Sequence, residues 1–175
     1  TSGCLNTAVG TNALKCNTSS CSSTAIGYNS LTVSTGPSNT AVGKDSLESN
    51  TCGNNNTAVG ADALAANTTA CNNVAIGKSA LTANTTGGCN VAVGNDSLIG
   101  SVSASSNTAV GHCAMLCTNA TQNVAVGAEA LRCNYNGCRN TAVGFNAMLY
   151  NTYGIQNTAV GRSALQANTT GGYNV

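Results

Sequence analysis

Charge is almost missing from this sequence. Lys, Arg, Asp and Glu make up 6% of its 175 residues, against about 25% in an ordinary globular domain. Aromatic residues are 3%, and tryptophan is absent. Large side chains bury the most apolar area, so a globule of this length lacks its usual material. The apolar fraction is mostly Ala, Val and Leu, which allows only a thin core of small side chains. The net charge is +1, with 6 basic and 5 acidic residues and no basic run. Without a basic patch or stacking aromatics, nucleic acid is excluded as a partner. No apolar run reaches the length of about 18 residues that membrane insertion needs. No C-x-x-C pair suggests zinc, and no G-x-x-x-x-G-K suggests a phosphate loop. Residues 1–10 carry no signal-peptide pattern.

Low charge with much Asn, Thr, Ser and Gly is also the mark of disordered chains, but here the aliphatic residues are regularly spaced. A glycine closes each of ten related phrases, at Gly10, Gly27, Gly43, Gly60, Gly77, Gly94, Gly111, Gly127, Gly144 and Gly161. The spacing is 17 residues, with two steps of 16. Ala stands two before every such glycine, Val or Ile one before, and Thr or Val three before. Asn stands four before in nine of ten, with Ser23 the exception. Leu stands four after in eight repeats, with Met115 and Met148 in the others. The repeats cover the chain, so residues 1–175 read as one repeat domain, cut within a repeat at Thr1 and again at Tyr173 to Val175. Such a rod is expected to continue covalently or to stack end to end.

The β-branched residues alternate in N-[TV]-A-[VI]-G, which suits a strand. A period near 17 is below that of leucine-rich repeats and fits one coil of a solenoid. The expected fold is all-β: a β-solenoid, or β-roll, of ten coils of 16–17 residues with parallel in-register sheets. The segment typified by ADALAAN, residues 61–67, is expected to form a short second strand. The alternative is one helical turn per coil, capped by Asn12, Asp45, Asp62 or Asp96. Alternation puts the Thr/Val and Val/Ile columns on one face and Asn, Ala and Gly on the other. The Val/Ile and Leu columns are expected to fill the interior. The Ala and Gly face either lies against another chain or fills a narrow interior.

N-T-A-V-G-x-x-A-L and N-V-A-I-G-x-S-A-L resemble the head repeats of trimeric autotransporter adhesins and related haemagglutinin-like proteins. The stretches NVAIGKSALTANTTG at Asn73 to Gly87 and NTAVGRSALQANTTG at Asn157 to Gly171 resemble the repeats of phage-type tail-fibre proteins. This resemblance implies a β-roll shaft or head, often trimeric, displayed on a cell or virion surface for attachment. The chain departs from both families in its 10 cysteines, and the adhesin repeats are shorter.

Many cysteines in a chain with so thin a core suggest an oxidising, extracellular setting. Cys4, Cys21, Cys71 and Cys138 stand six before the glycine, and Cys16, Cys117 and Cys133 six after. Stacked coils about 4.8 Å apart are within disulfide reach. Cys4 with Cys21, Cys71 with Cys89 and Cys117 with Cys133 are candidate pairs. Cys16 with Cys21 and Cys133 with Cys138 compete with them, and spacing does not settle the connectivity. Cys52 and Cys113 are left over as candidates for bonds to a neighbouring chain. Asn recurs seven after the glycine, from Asn17 and Asn50 to Asn168, where stacked amides can hydrogen-bond along the rod. The competing role is N-glycosylation, for which Asn17, Asn55, Asn67, Asn84, Asn95, Asn119 and Asn168 open N-x-[ST] sequons.

No catalytic, cofactor or metal site is expected. His112 adjoins Cys113, but sequence neighbours usually point apart, and no third group is evident to orient a nucleophile. Asp45, Asp62, Asp96 and Glu129 share the column two after the glycine; turn formation or capping explains this better than calcium. The expected function is structural and non-enzymatic. The chain reads as a shaft segment of an extracellular fibre, filament, adhesin or tail fibre. Its expected partners are copies of itself and a surface receptor or glycan. The alternatives are an ice-binding solenoid, from the Thr column, and a carbohydrate-binding tail-spike-like protein. Val74, Val91 and Val124 interrupt the Thr column and suggest that it is half-buried. Tail-spike enzymes need paired carboxylates and large aromatics, which this chain lacks.

Overall fold

Three-residue β-branched strands, one per coil, build a single sheet. In the computed structural model, which describes residues 3–175, these are β1 (Thr7–Val9), β2 (Thr24–Ile26), β3 (Thr40–Val42), β4 (Thr57–Val59) and β5 (Val74–Ile76). They continue as β6 (Val91–Val93), β7 (Thr108–Val110), β8 (Val124–Val126), β9 (Thr141–Val143) and β10 (Thr158–Val160). Each strand pairs in parallel with the next, in sequence order. The register puts like on like: Thr57 beside Val74, Ala58 beside Ala75, Val59 beside Ile76. At about 4.8 Å per step, nine steps give a rod of roughly 43 Å. The fold is thus an all-β solenoid. Thr1 lies outside the described residues.

The rest of each coil is turn, and the described residues include no helix and no second sheet. This corrects the expected second strand and its helical alternative. The residues two and four after the glycine are left-handed, as at Asp62 (φ 59°) and Leu64 (φ 51°). A strand sends successive side chains to opposite faces, yet Ala63 and Leu64 are both fully buried. A left-handed residue reverses the chain locally and lets both point inward. Asn and Asp tolerate that conformation better than other residues, which explains Asn12, Asp45, Asp62 and Asp96. They are turn residues, not helix caps. The turns still bond from coil to coil: Leu64 N–H donates to Ala80 O at 3.0 Å, and Ala66 N–H to Thr82 O at 3.1 Å.

The interior is narrow, in line with the second of the two readings of the Ala and Gly face. Ala25, Ala58 and Ala92 are fully buried from the sheet side, opposite Leu31, Leu64 and Leu98. The Val/Ile column points outward: Ile26, Ile76 and Val110 are exposed, and Val59 is half-buried. The expectation that Val and Ile fill the coil is therefore corrected, and Ala lines the interior. The reason is the asparagine two residues before the Ala in nine of the ten coils. It needs the interior carbonyls, and period-two alternation takes Ala inward with it and sends Val out.

Two asparagine ladders line that interior. Asn56 Nδ2 donates to Ala70 O at 2.8 Å, and its Oδ1 accepts the Asn73 backbone N–H at 3.0 Å. Asn67 Nδ2 donates to Asn50 Oδ1 at 2.7 Å and to Ala70 O at 3.1 Å. This second ladder is the expected Asn stack. It is interrupted at Ser34 and again at Ser101 and Thr118, where other residues take the Asn position. At the second gap the buried Asn84 Oδ1 and Ser101 Oγ have no hydrogen-bond partner. The glycine column is obligatory. A Cβ on Gly60 (φ 135°) would lie 2.5 Å from Gly77 O.

Candidate functional site

No cavity is present among the described residues, so the candidate sites are surfaces and side-chain clusters. The first is the outward face of the sheet. Because the register is exact to the residue, it carries two parallel columns, Thr or Val beside Val or Ile, over ten rungs. Within the Val/Ile column Ile26, Ile76, Val110 and Val126 are 39%, 40%, 37% and 38% exposed. An unbroken column of Val and Ile, beside one of Thr and Val, is an unusual thing to leave in water.

Cysteines line the edges. Cys4 Sγ lies 2.7 Å from Cys21 Sγ, so the structure brings this expected pair together. The Cys21 thiol holds the Cys4 proton and pushes its pKa up. Cys117 N–H donates to Arg132 O at 3.0 Å, which puts Cys117 and Cys133 on adjacent rungs. Cys89 N–H donates to Cys71 O at 3.1 Å, so these two are also adjacent, one residue out of column. The sulfurs are thiols in this structure. Cys16 is exposed and Cys138 half-buried; Cys138 Sγ contacts Asn136 O at 3.7 Å. Cys52 is exposed, with Thr35 Oγ1 donating to its sulfur at 3.6 Å. Cys113 is largely buried, at 9% exposed, beside the exposed His112.

The sequons divide in the same way. Asn67 and Asn84 are fully buried in the inner ladder, so the folded rod offers no acceptor there. Asn17 and Asn168 are half-buried in the same column, Asn95 is half-buried, and Asn55 and Asn119 are exposed.

The second cluster was not legible in the sequence. Cys113 (φ 53°) is left-handed, and this turn brings its sulfur to 3.4 Å from His112 Nε2. Asp96 occupies the same column one coil earlier, tied by the Cys113 N–H to Asn95 O at 3.0 Å. A carboxylate oxygen of Asp96, a ring nitrogen of His112 and the Cys113 sulfur lie within 4.8 Å of one another. His112 is exposed, as expected, but is not isolated. Burial, reinforced by the Asp96 charge, pushes the Cys113 thiol pKa up. A nucleophilic cysteine needs the opposite shift. Of the other acids in the column, Asp45 and Glu129 are half-buried and each pairs with a nearby cation. Asp45 pairs with Lys44, and Glu129 with Arg132 at 3.6 Å.

No family model, no curated protein and no solved structure matches this chain.

Proposed function

We propose that the chain is a structural, non-catalytic segment of an extracellular fibre. Its outward sheet face joins it side by side to copies of itself. The observation that carries this reading is the uniform outward column of Val and Ile beside Thr and Val. Covering a half-exposed Val or Ile gains about 1 kcal/mol, half the value of full burial. Ten rungs therefore gain on the order of 10 kcal/mol, similar to the cost of about 4–15 kcal/mol for associating two bodies. Each further coil adds to the gain while that cost stays fixed. Long rods on such a face associate, and short ones do so weakly.

The two inner asparagine ladders supply stiffness, and the variable turns form the surface open to a receptor or glycan. The likeness of the N-T-A-V-G phrases to adhesin heads and tail-fibre repeats agrees with display on a cell or virion surface, in pairs or trimers. In an oxidising setting Cys4 and Cys21 cross-link adjacent coils. The test is sedimentation analysis of the chain and of Val59→Lys/Val93→Lys. Self-association in the parent and its loss in a still-folded variant support the reading. A parent that stays monomeric at high concentration removes it.

Ice binding is the second reading, favoured by one observation. The Thr/Val column is half-exposed on the outward face rather than packed inside. Thermal hysteresis would support it, and a fibre segment should give none.

A further inference from the structure

Coils six and seven, residues 94–110 and 111–126, are where the inner asparagine ladder fails. Ser101 and Thr118 stand in the Asn column there, and Asn84 Oδ1 and Ser101 Oγ are buried without partners. On the outside of the same two coils, Asp96, His112 and Cys113 converge. Their donor atoms span no more than 4.8 Å. A tetrahedral zinc with Zn–S of about 2.3 Å and Zn–N of about 2.0 Å sets its sulfur and nitrogen about 3.5 Å apart. Cys113 Sγ and His112 Nε2 are 3.4 Å apart. Asn95 Nδ2 donates to Asp96 Oδ2 at 2.6 Å, orienting the carboxylate as outer-sphere partners do around metal ligands. Glu129, one rung further along the column, adds negative charge and is steadied by Arg132 at 3.6 Å.

We propose that Asp96, His112 and Cys113 bind a zinc-class divalent ion that clamps coil six to coil seven. The donor set is one carboxylate oxygen, one imidazole nitrogen and one thiolate, which suits zinc or cobalt and not calcium or magnesium. The fourth position faces solvent beside the exposed His112 and takes water. On binding, the ion sheds water and the Cys113 thiol releases its proton to solvent, so affinity rises with pH. The clamp joins the two rungs that lack the amide tie between Asn84 and Asn134. It stabilises the rod where its interior is weakest.

The test is a Co2+ titration of the full chain, kept reduced with a non-thiol reductant. It is repeated on Cys113→Ser, His112→Gln and Asp96→Asn. One equivalent is expected to bind with tetrahedral visible bands and a sulfur-to-cobalt charge-transfer band. Cys113→Ser is expected to abolish that charge-transfer band. His112→Gln, an exposed change that leaves the fold intact, and Asp96→Asn are each expected to weaken binding about tenfold or more. Zn2+ is expected to raise the melting temperature of the parent and not of Cys113→Ser. An undiminished charge-transfer band in Cys113→Ser would place the ion on other cysteines and overturn the proposal. So would affinity unchanged in His112→Gln, or no saturable binding by the parent.

Discussion

Replacing Ser101 by Asn should stabilise this rod, although it puts a larger polar side chain into a fully buried position. Ser101 lies in the column seven after the glycine, in a coil of 17 residues. Every other 17-residue coil carries Asn there: Asn17, Asn50, Asn67, Asn84, Asn134, Asn151 and Asn168. In Asn67 the amide nitrogen donates to the Asn of the preceding coil and to the carbonyl three residues on. An Asn at 101 would find Asn84 Oδ1, now buried without a donor, and the Ala104 carbonyl. Two buried hydrogen bonds are worth about 1 kcal/mol each net, and ending the desolvation of an orphaned acceptor adds about 1 kcal/mol. Side-chain ordering and fit reduce this, leaving about 2 kcal/mol. For a chain of this size the expected rise in melting temperature is about 4–8 °C. Thermal and urea unfolding of Ser101→Asn measure it, and hydrogen exchange at Asn84 and Leu98 locates it. Unchanged or lower stability, in a variant that still folds, would refute the claim that the amide ladder is what ties these coils together.

Other outcomes follow from the same geometry. Gly77→Ala should cost more than about 3 kcal/mol and prevent stacking, because its Cβ would lie 2.5 Å from Gly94 O at φ 134°; circular dichroism and melting report it. Leu81→Ala should destabilise by about 2–5 kcal/mol, since Leu81 is fully buried opposite small Ala side chains; urea unfolding measures it. Expression in a secretory pathway that adds N-glycans should modify Asn55 or Asn119 and leave Asn67 and Asn84 bare, as read by glycopeptide mass spectrometry. Iodoacetamide should alkylate exposed Cys52 well before buried Cys113, and equal rates would contradict the burial described.

The period was legible because stacked coils force each chemical type into a column. The glycine column, the Leu column and the second asparagine ladder were all visible as recurrences. What failed was the assignment of the Val/Ile column to the interior. Hydrophobicity alone argues that Val goes in and Ala goes out. It neglects that buried Asn side chains need carbonyl partners, and that their face of the strand is shared with Ala. A usable signal was present in the adjacent pair Ala63–Leu64. Two neighbouring apolar columns cannot both enter a core from a strand. The Asp96, His112 and Cys113 cluster was hidden for a related reason. Its convergence depends on a left-handed residue at Cys113, a position where the other coils mostly carry Asn, Asp or Ser.

The most direct measurement is electron microscopy of the native material at a resolution that separates the rungs. The expected image is a rod with a repeat of about 4.8 Å along its axis, with rods joined on the face of Val59, Ile76 and Val93. Lone rods of one-chain thickness, with that face open to solvent, would contradict the account.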